Sequence, residues 1–181
     1  MKIGIAGVGG IGSNVAVNLV RSGITWLRLI DFDRVDQSNL NRQFYFHDQI
    51  GRFKVEALRE NLLRINPELV LELAQETITQ ANCRELLADC DIIVEGFDRQ
   101  EHKKMLIEAF TDRAVFSACG IAGASLTGIR TRRLGHCFIA GDFATGCDEA
   151  PLFAHKVIAV ANYMSQLILE HKEPHATVIT P

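Results

Sequence analysis

The sequence predicts an α/β fold: a mainly parallel sheet with helices on both faces and a few antiparallel strands towards its C-terminal side. Two observations predict it. Short apolar runs of strand length alternate with longer stretches of helical periodicity, which is the pattern of βαβ units. The first run also ends in a glycine-rich turn that opens a helix, Gly7-Val8-Gly9-Gly10-Ile11-Gly12.

Strands are expected at residues 2–6, 26–30, 69–74, 92–95 and 115–119. Between the first two, Ile11, Val15, Leu19 and Val20 recur on one helical face that closes at Gly23. A second helix is expected over 54–65, with Val55, Leu58, Leu62 and Ile65 as its buried stripe and Pro67 just beyond. A third spans 101–110. After Gly120 the texture changes, and residues 125–133 and 137–140 read as short strands joined by a turn at Gly135. A last helix over 152–170 sets Val157, Ala161, Met164 and Ile168 on one side. A length of 181 residues suits a single domain over 1–174, with 175–181 as a short polar tail.

Composition narrows the class. Apolar residues make up 48% and charged residues 23% of the chain, which excludes disorder; a net charge of −3 argues against coating nucleic acid or an anionic membrane. Met1 and Lys2 run into the first strand without an apolar leader, and His155, Lys156, Asn162 and Gln166 interrupt the late apolar stretches. Cys83, Cys90, Cys119, Cys137 and Cys147 form an odd set without CxxC spacing, which suits reduced thiols. A cytoplasmic protein is expected.

The turn at Gly7, Gly9, Gly10 and Gly12 lets backbone N–H groups approach a phosphate at the start of the following helix. Asp31 closes the second strand about twenty residues later, where a carboxylate can accept ribose hydroxyls. This describes a Rossmann-like nucleotide site, and on these residues alone an NAD or FAD enzyme is equally open. The next segment tilts the reading towards ATP. It runs Asp31-Phe32-Asp33-Arg34-Val35-Asp36-Gln37-Ser38-Asn39-Leu40-Asn41-Arg42-Gln43-Phe44, then Gly51-Arg52-Phe53-Lys54. A dinucleotide dehydrogenase has little need of a fixed arginine and lysine here. A nucleoside triphosphate needs cations to hold its charge and to stabilise what develops during attack. Arg42 offers a fork and Lys54 a point charge, although either taken alone would read as a solvated surface group.

The combination of GxGGxG, D-x-D-x-V-x-x-S-N-L-x-R-Q and G-x-x-K resembles the ThiF/MoeB family, relatives of the ubiquitin-activating enzymes. Asn66-Pro67 and Val94-Glu95-Gly96-Phe97-Asp98 also fit, so the resemblance covers nearly the whole chain. It implies a homodimer with an ATP site in each subunit that adenylates a small ubiquitin-like sulfur-carrier protein ending in Gly-Gly. On the matching positions, Gly10 would lie against the phosphates, Asp31 would hold the ribose, and Asn39, Arg42, Gln43 and Lys54 would contact phosphates. Arg42, Lys54 and Asp98 would form the catalytic set, with Asp98 binding Mg²⁺. Asp98 also makes sense from its position after an apolar strand, since one carboxylate with phosphate oxygens suffices for Mg²⁺. It could equally cap the next helix, with Glu101 completing a capping box.

The chain departs from many relatives in three ways. It has no paired CxxC motifs, so no zinc is expected; the leading helices common in the family do not precede its first strand; and Arg99 stands where relatives often show Asn. The short form resembles a ThiF-like branch associated with thiamin thiazole synthesis, the carrier then being ThiS-like. A molybdopterin-pathway carrier, a modified tRNA and an NAD-dependent oxidation remain as alternatives. Cys147, in Thr145-Gly146-Cys147-Asp148-Glu149, sits in an expected loop where relatives can place a sulfur-handling cysteine. Its acidic neighbours would raise its pKa and blunt it. Cys119 reads as core. His47 follows the aromatic run Phe44-Tyr45-Phe46, which reads as a lid over the nucleotide or a dimer surface.

Overall fold

The computed structural model describes residues 1–172. The expected tail at 175–181 lies outside the described residues. In chain order the elements are β1 (Ile3–Ala6), α1 (Gly10–Arg21), β2 (Trp26–Ile30), α2 (Lys54–Leu63), β3 (Val70–Ala74), α3 (Cys83–Leu86), β4 (Ile92–Glu95), α4 (Gln100–Ala109), β5 (Ala114–Ala118), β6 (Arg130–Leu134), β7 (Cys137–Gly141) and α5 (Ala154–Lys172). Among the described residues they build a seven-stranded sheet in the order β3-β2-β1-β4-β5-β7-β6. Every neighbouring pair is parallel except β6 with β7.

Period-two alternation divides the core between the two faces of the sheet. Ile3, Ile5, Leu27, Leu29, Ile92, Val94 and Phe116 pack with the apolar stripes of α1, α2 and α5. Ala6, Ile30, Ile93 and Val115 point the other way, against Cys83, Leu87, Leu106 and Phe110 around α3 and α4. At the amino edge of the sheet, the nearly buried Lys2 donates to Glu72 at 2.7 Å and to Asp89 at 2.6 Å, and Arg28 binds both acids. This cluster ties β1, β2 and β3 to the turn before β4 and leaves the carboxyl edge to carry chemistry.

Two expectations need correction, and one element is additional. Residues 125–129 are not strand: Gly128 adopts φ +84° and Ser125 Oγ accepts the Thr127 N–H, so a turn precedes β6, which begins at Arg130. β5 ends at Ala118, so Cys119 lies beyond the strand and is only half-buried. The short α3 has no long apolar stripe and was not expected. Among the described residues, no helix is long and apolar enough to cross a membrane.

Candidate nucleotide site

β1 and β4 are neighbours, but the chain departs from them towards opposite edges of the sheet, so a crevice opens beyond their carboxyl ends. Gly7 and Gly96 follow these strands. The Gly7 N–H donates to the Ile30 carbonyl and the Gly96 N–H to the Ala6 carbonyl, both at 2.8 Å. Gly7 has φ +87°, which favours glycine, and a Cβ on Gly12 would collide with the Gly7 carbonyl oxygen. The turn and the helix are therefore packed backbone to backbone. The first turn of α1 has neither a side-chain cap nor an acidic residue, so its N–H groups and partial positive charge are left for an anion.

Asp31, 9% exposed, accepts the Val8 N–H through Oδ2 and the Asp33 N–H through Oδ1, each at 2.8 Å. Burial pushes its carboxyl pKa up, while Lys54 and these two N–H groups pull it back. Lys54, the first residue of α2 and nearly buried, donates to Asp33 Oδ2 at 2.8 Å. Its ammonium thus borders the acid that braces the glycine turn.

The segment after β2 is bound to the same turn by side chains that the sequence reading did not single out. Asn14 Nδ2 donates to the Gly10 carbonyl at 2.7 Å and to the Arg42 carbonyl at 2.9 Å. Ser13 Oγ donates to the Gly9 carbonyl at 2.7 Å and accepts the Phe44 N–H at 3.0 Å. Tyr45 is buried, and its hydroxyl donates to the Val8 carbonyl at 2.7 Å. Phe46 is the exposed member of that run.

Arg42 consequently stands beside the turn, and a Cβ on Gly10 would lie 3.7 Å from its Cγ. Its Nη1 donates to the Ser38 carbonyl at 3.0 Å and to Asn41 Oδ1 at 2.7 Å. Gln43 is 9% exposed, with Nε2 3.8 Å from the Cβ position of Gly9, and its buried Oε1 has no hydrogen-bond partner among the described residues. A buried amide left short of a partner beside a glycine turn fits a site shaped for a polar ligand. Asn39 is engaged locally: its Oδ1 accepts the Asp36 N–H at 3.1 Å, and its carbonyl accepts the N–H groups of Arg42 and Gln43.

Asp98 lies exposed past the end of β4, and its carboxylate has no partner among the described residues. The capping-box alternative does not form. α4 starts at Gln100 with Arg99 at the N-cap, so Asp98 lies one residue too early. Beneath it, fully buried Glu95 accepts the Phe97 N–H at 2.6 Å, Lys103 Nζ at 2.9 Å and Ser117 Oγ at 2.5 Å.

A loop over residues 142–149 closes the other side. Buried Lys156 of α5 donates to Asp142 Oδ2 at 2.6 Å and to the Ala122 carbonyl. Asp142 also accepts the N–H groups of Ala144 and Thr145 and the Thr145 hydroxyl. Burial alone would raise the Asp142 carboxyl, but these donors hold it well below the usual carboxylate range. The loop carries Cys147 into the electrostatic reach of Lys103, Asp148, Asp98 and Arg42. Although the residue as a whole is exposed, partial enclosure raises its thiol pKa; Lys103 and Arg42 oppose that, while Asp148 and Asp98 add to it.

The glycine turn thus gathers Asp31, Arg42 and Gln43, with Lys54 in electrostatic reach of Asp31, and Cys147 feels both Arg42 and Asp98. Among the described residues, no group of three His, Cys, Asp or Glu side chains could hold a metal. Asp98 alone suits Mg²⁺ that arrives shared with phosphate oxygens.

Comparison with known proteins gives a family and a fold. The ThiF family model matches residues 1–166. The ubiquitin-like modifier-activating enzyme 5 of Caenorhabditis elegans is 46% identical over 77 residues, 42% of this chain and 18% of that enzyme. The match therefore spans less than a fifth of that relative's length. The tRNA N6-threonylcarbamoyladenosine dehydratase of E. coli, solved in complex with ATP, superposes with a TM-score of 0.80 at 20% identity, covering 97% of this chain and 88% of that one. E. coli MccB, solved with AMPCPP and MccA, gives 0.76 at 20% identity over 98% and 57% of the two chains.

Proposed function

The chain belongs to the ThiF family, and from that premise we propose that it is an ATP-dependent adenylyltransferase. It activates the C-terminal glycine carboxylate of a small ubiquitin-like sulfur carrier as an acyl-adenylate and releases pyrophosphate. The carrier is ThiS-like, the pathway is thiamin thiazole synthesis, and the working form is a homodimer. The observation that carries the reading is the convergence on the glycine turn of Arg42 and the buried Gln43, whose Oε1 has no partner among the described residues, with Lys54 bordering Asp31.

The chemistry asks little of the protein beyond position and charge. A terminal carboxylate with a pKa of about 3.5 is already ionised near neutrality, so it attacks the α-phosphorus without a general base. The uncapped first turn of α1 and the Arg42 guanidinium hold the phosphates. Lys54 offsets charge that develops as the bond to the leaving pyrophosphate breaks. Asp31 offers its remaining lone pairs to the ribose hydroxyls. Asp98 would hold Mg²⁺, which when bound supplies further neutralisation of phosphate charge.

The test is exchange of labelled pyrophosphate into ATP, run with a ThiS-like carrier, a molybdopterin-pathway carrier and tRNA as separate arms. Exchange that depends on the ThiS-like carrier supports the reading. Exchange with another arm moves the substrate, and NADH binding without exchange in any arm overturns the activity.

A further inference from the structure

We propose that β6 is a docking edge for an acidic, strand-bearing protein, and that this protein is the carrier whose terminal carboxylate is activated; the identity of the partner rests on the adenylation reading above. β6 is the last strand of the sheet and pairs, among the described residues, only with β7. All five of its residues, Arg130-Thr131-Arg132-Arg133-Leu134, are exposed. Its outer backbone groups are therefore free to pair with another strand. Three arginines in one five-residue strand are a local excess in a chain of net charge −3.

None of these arginines meets a carboxylate among the described residues. Instead they lie over rings: Arg130 and Arg132 stand 5.2 and 4.8 Å from the centre of Phe143, and Arg133 stands 5.0 Å from that of Phe138. Stacking fixes the guanidinium forks on both faces of the strand; Arg130 Nη1 donates to the Gly128 carbonyl and Arg133 Nε to the Gly135 carbonyl, and the remaining guanidinium N–H groups are left to donate to carboxylates. Charge on an edge strand also serves to repel unwanted pairing. Arginines on β6 reject a second β6 and admit an acidic strand, so the same feature supplies selectivity.

The edge also leads into the loop that carries Cys147. Phe143, the ring beneath Arg130 and Arg132, is a non-glycine residue at φ +61° at the start of the loop that Asp142 and Lys156 anchor and that carries Cys147 towards Arg42 and Asp98. A protein seated on β6 flanks this loop; β7, β5 and β4 lie between it and the glycine turn after β1, so a flexible Gly-Gly tail has to run along the carboxyl edge of the sheet to reach the phosphates. RNA is the less suited occupant, because a basic feature one strand wide, beside the acidic Asp148 and Glu149, offers a short track for phosphates.

The experiment uses the full chain and three fluorescent probes: an alternating glutamate–valine peptide ending in Gly-Gly, the same peptide with lysine for glutamate, and a short oligouridylate. The acidic peptide binds the wild type and weakens as salt is added. The triple variant R130A/R132A/R133A loses on the order of tenfold in affinity, as three exposed ion pairs imply. The charge-matched control R21A/R59A/R64A, altered at the end of α1 and along α2 to its C-cap, keeps most of it. The variant R130K/R132K/R133K also retains binding and guards against loss through disturbed packing. The proposal is overturned by no binding of the acidic peptide, equal binding of the lysine peptide, tighter binding of oligouridylate, equal losses in the control triple, or a lysine triple as weak as the alanine one. Calorimetric ATP binding on the same preparations is independent of β6. Its absence from the wild type removes the adenylation reading and leaves the docking result standing.

Discussion

The carboxylate of Asp31 accepts the N–H of Val8 at 2.8 Å, so the acid at the end of β2 is fastened to the turn that follows β1. This bond joins two segments that lie 23 residues apart. The acid also receives the Asp33 N–H and feels the charge of Lys54, so Asp31, the glycine turn and Lys54 form one mechanical unit. Asp31→Asn keeps the shape but presents one oxygen where two are used. We expect a loss of about 1–3 kcal/mol in urea unfolding, from a buried N–H left without an acceptor. ATP affinity should fall as well.

Gly12→Ala tests the backbone contact beneath the turn. The added methyl meets the Gly7 carbonyl oxygen, which is part of the main chain and cannot swing aside. Overpacking of this kind costs about 1–3 kcal/mol. Urea unfolding should show that loss, with ATP binding weakened beyond detection; an unchanged midpoint would show that the turn has room to spare.

The Asp142–Lys156 pair should govern the loop that carries Cys147. The folded-state pKa of Asp142 lies below its unfolded value, so its contribution to stability is complete above the ordinary aspartate pKa of about 3.9. That contribution disappears as pH falls through the lower folded value. Asp142→Asn removes this acid-side dependence and leaves Lys156 buried without its counter-charge, at a cost on the order of 3 kcal/mol. Unfolding midpoints followed from pH 7 downward for both proteins will read this directly.

Cys147 should alkylate slowly at neutral pH, because its thiol pKa is raised, and its rate should climb as the pH approaches that value. Asp98→Asn removes an anion that raises the pKa and speeds the reaction; Lys103→Gln removes an opposing cation and slows it. Peptide mapping after iodoacetamide gives the rate at each site. Buried Cys90 and Cys137, both pushed up to about 11, should stay unlabelled in the folded protein.

The alternation of short apolar runs and periodic stretches made the sheet legible, because β1 and β4 are short, fully buried runs and α1 and α5 carry long stripes. α3 was hidden, since four residues between Asn82 and Leu87 carry no period to detect. Ser125 does not start a strand, because Gly128, whose positive φ makes a turn, interrupts the run before β6. At the site, glycines and charges announced themselves through spacing. The side chains that bring them together did not. Ser13 and Asn14 sit among the apolar residues of α1 and Tyr45 inside an aromatic run; Asn14 bridges the Gly10 and Arg42 carbonyls, Ser13 joins the Gly9 carbonyl to the Phe44 N–H, and Tyr45 reaches the Val8 carbonyl. Lys156 left a clue: a lysine next to the apolar stripe of α5 requires a buried partner, and Asp142 supplies it.

The central claim is that Arg42 and Lys54 converge with the glycine turn on a triphosphate, and calorimetric titration with ATP and Mg²⁺ tests it most directly. The account predicts that the wild type binds, and that Arg42→Ala and Lys54→Met each lose about tenfold or more, as the removal of a charged hydrogen bond implies, with unfolding midpoints close to the wild type. Equal ATP affinity in all three proteins, or a wild type that binds NADH in place of ATP, would contradict it.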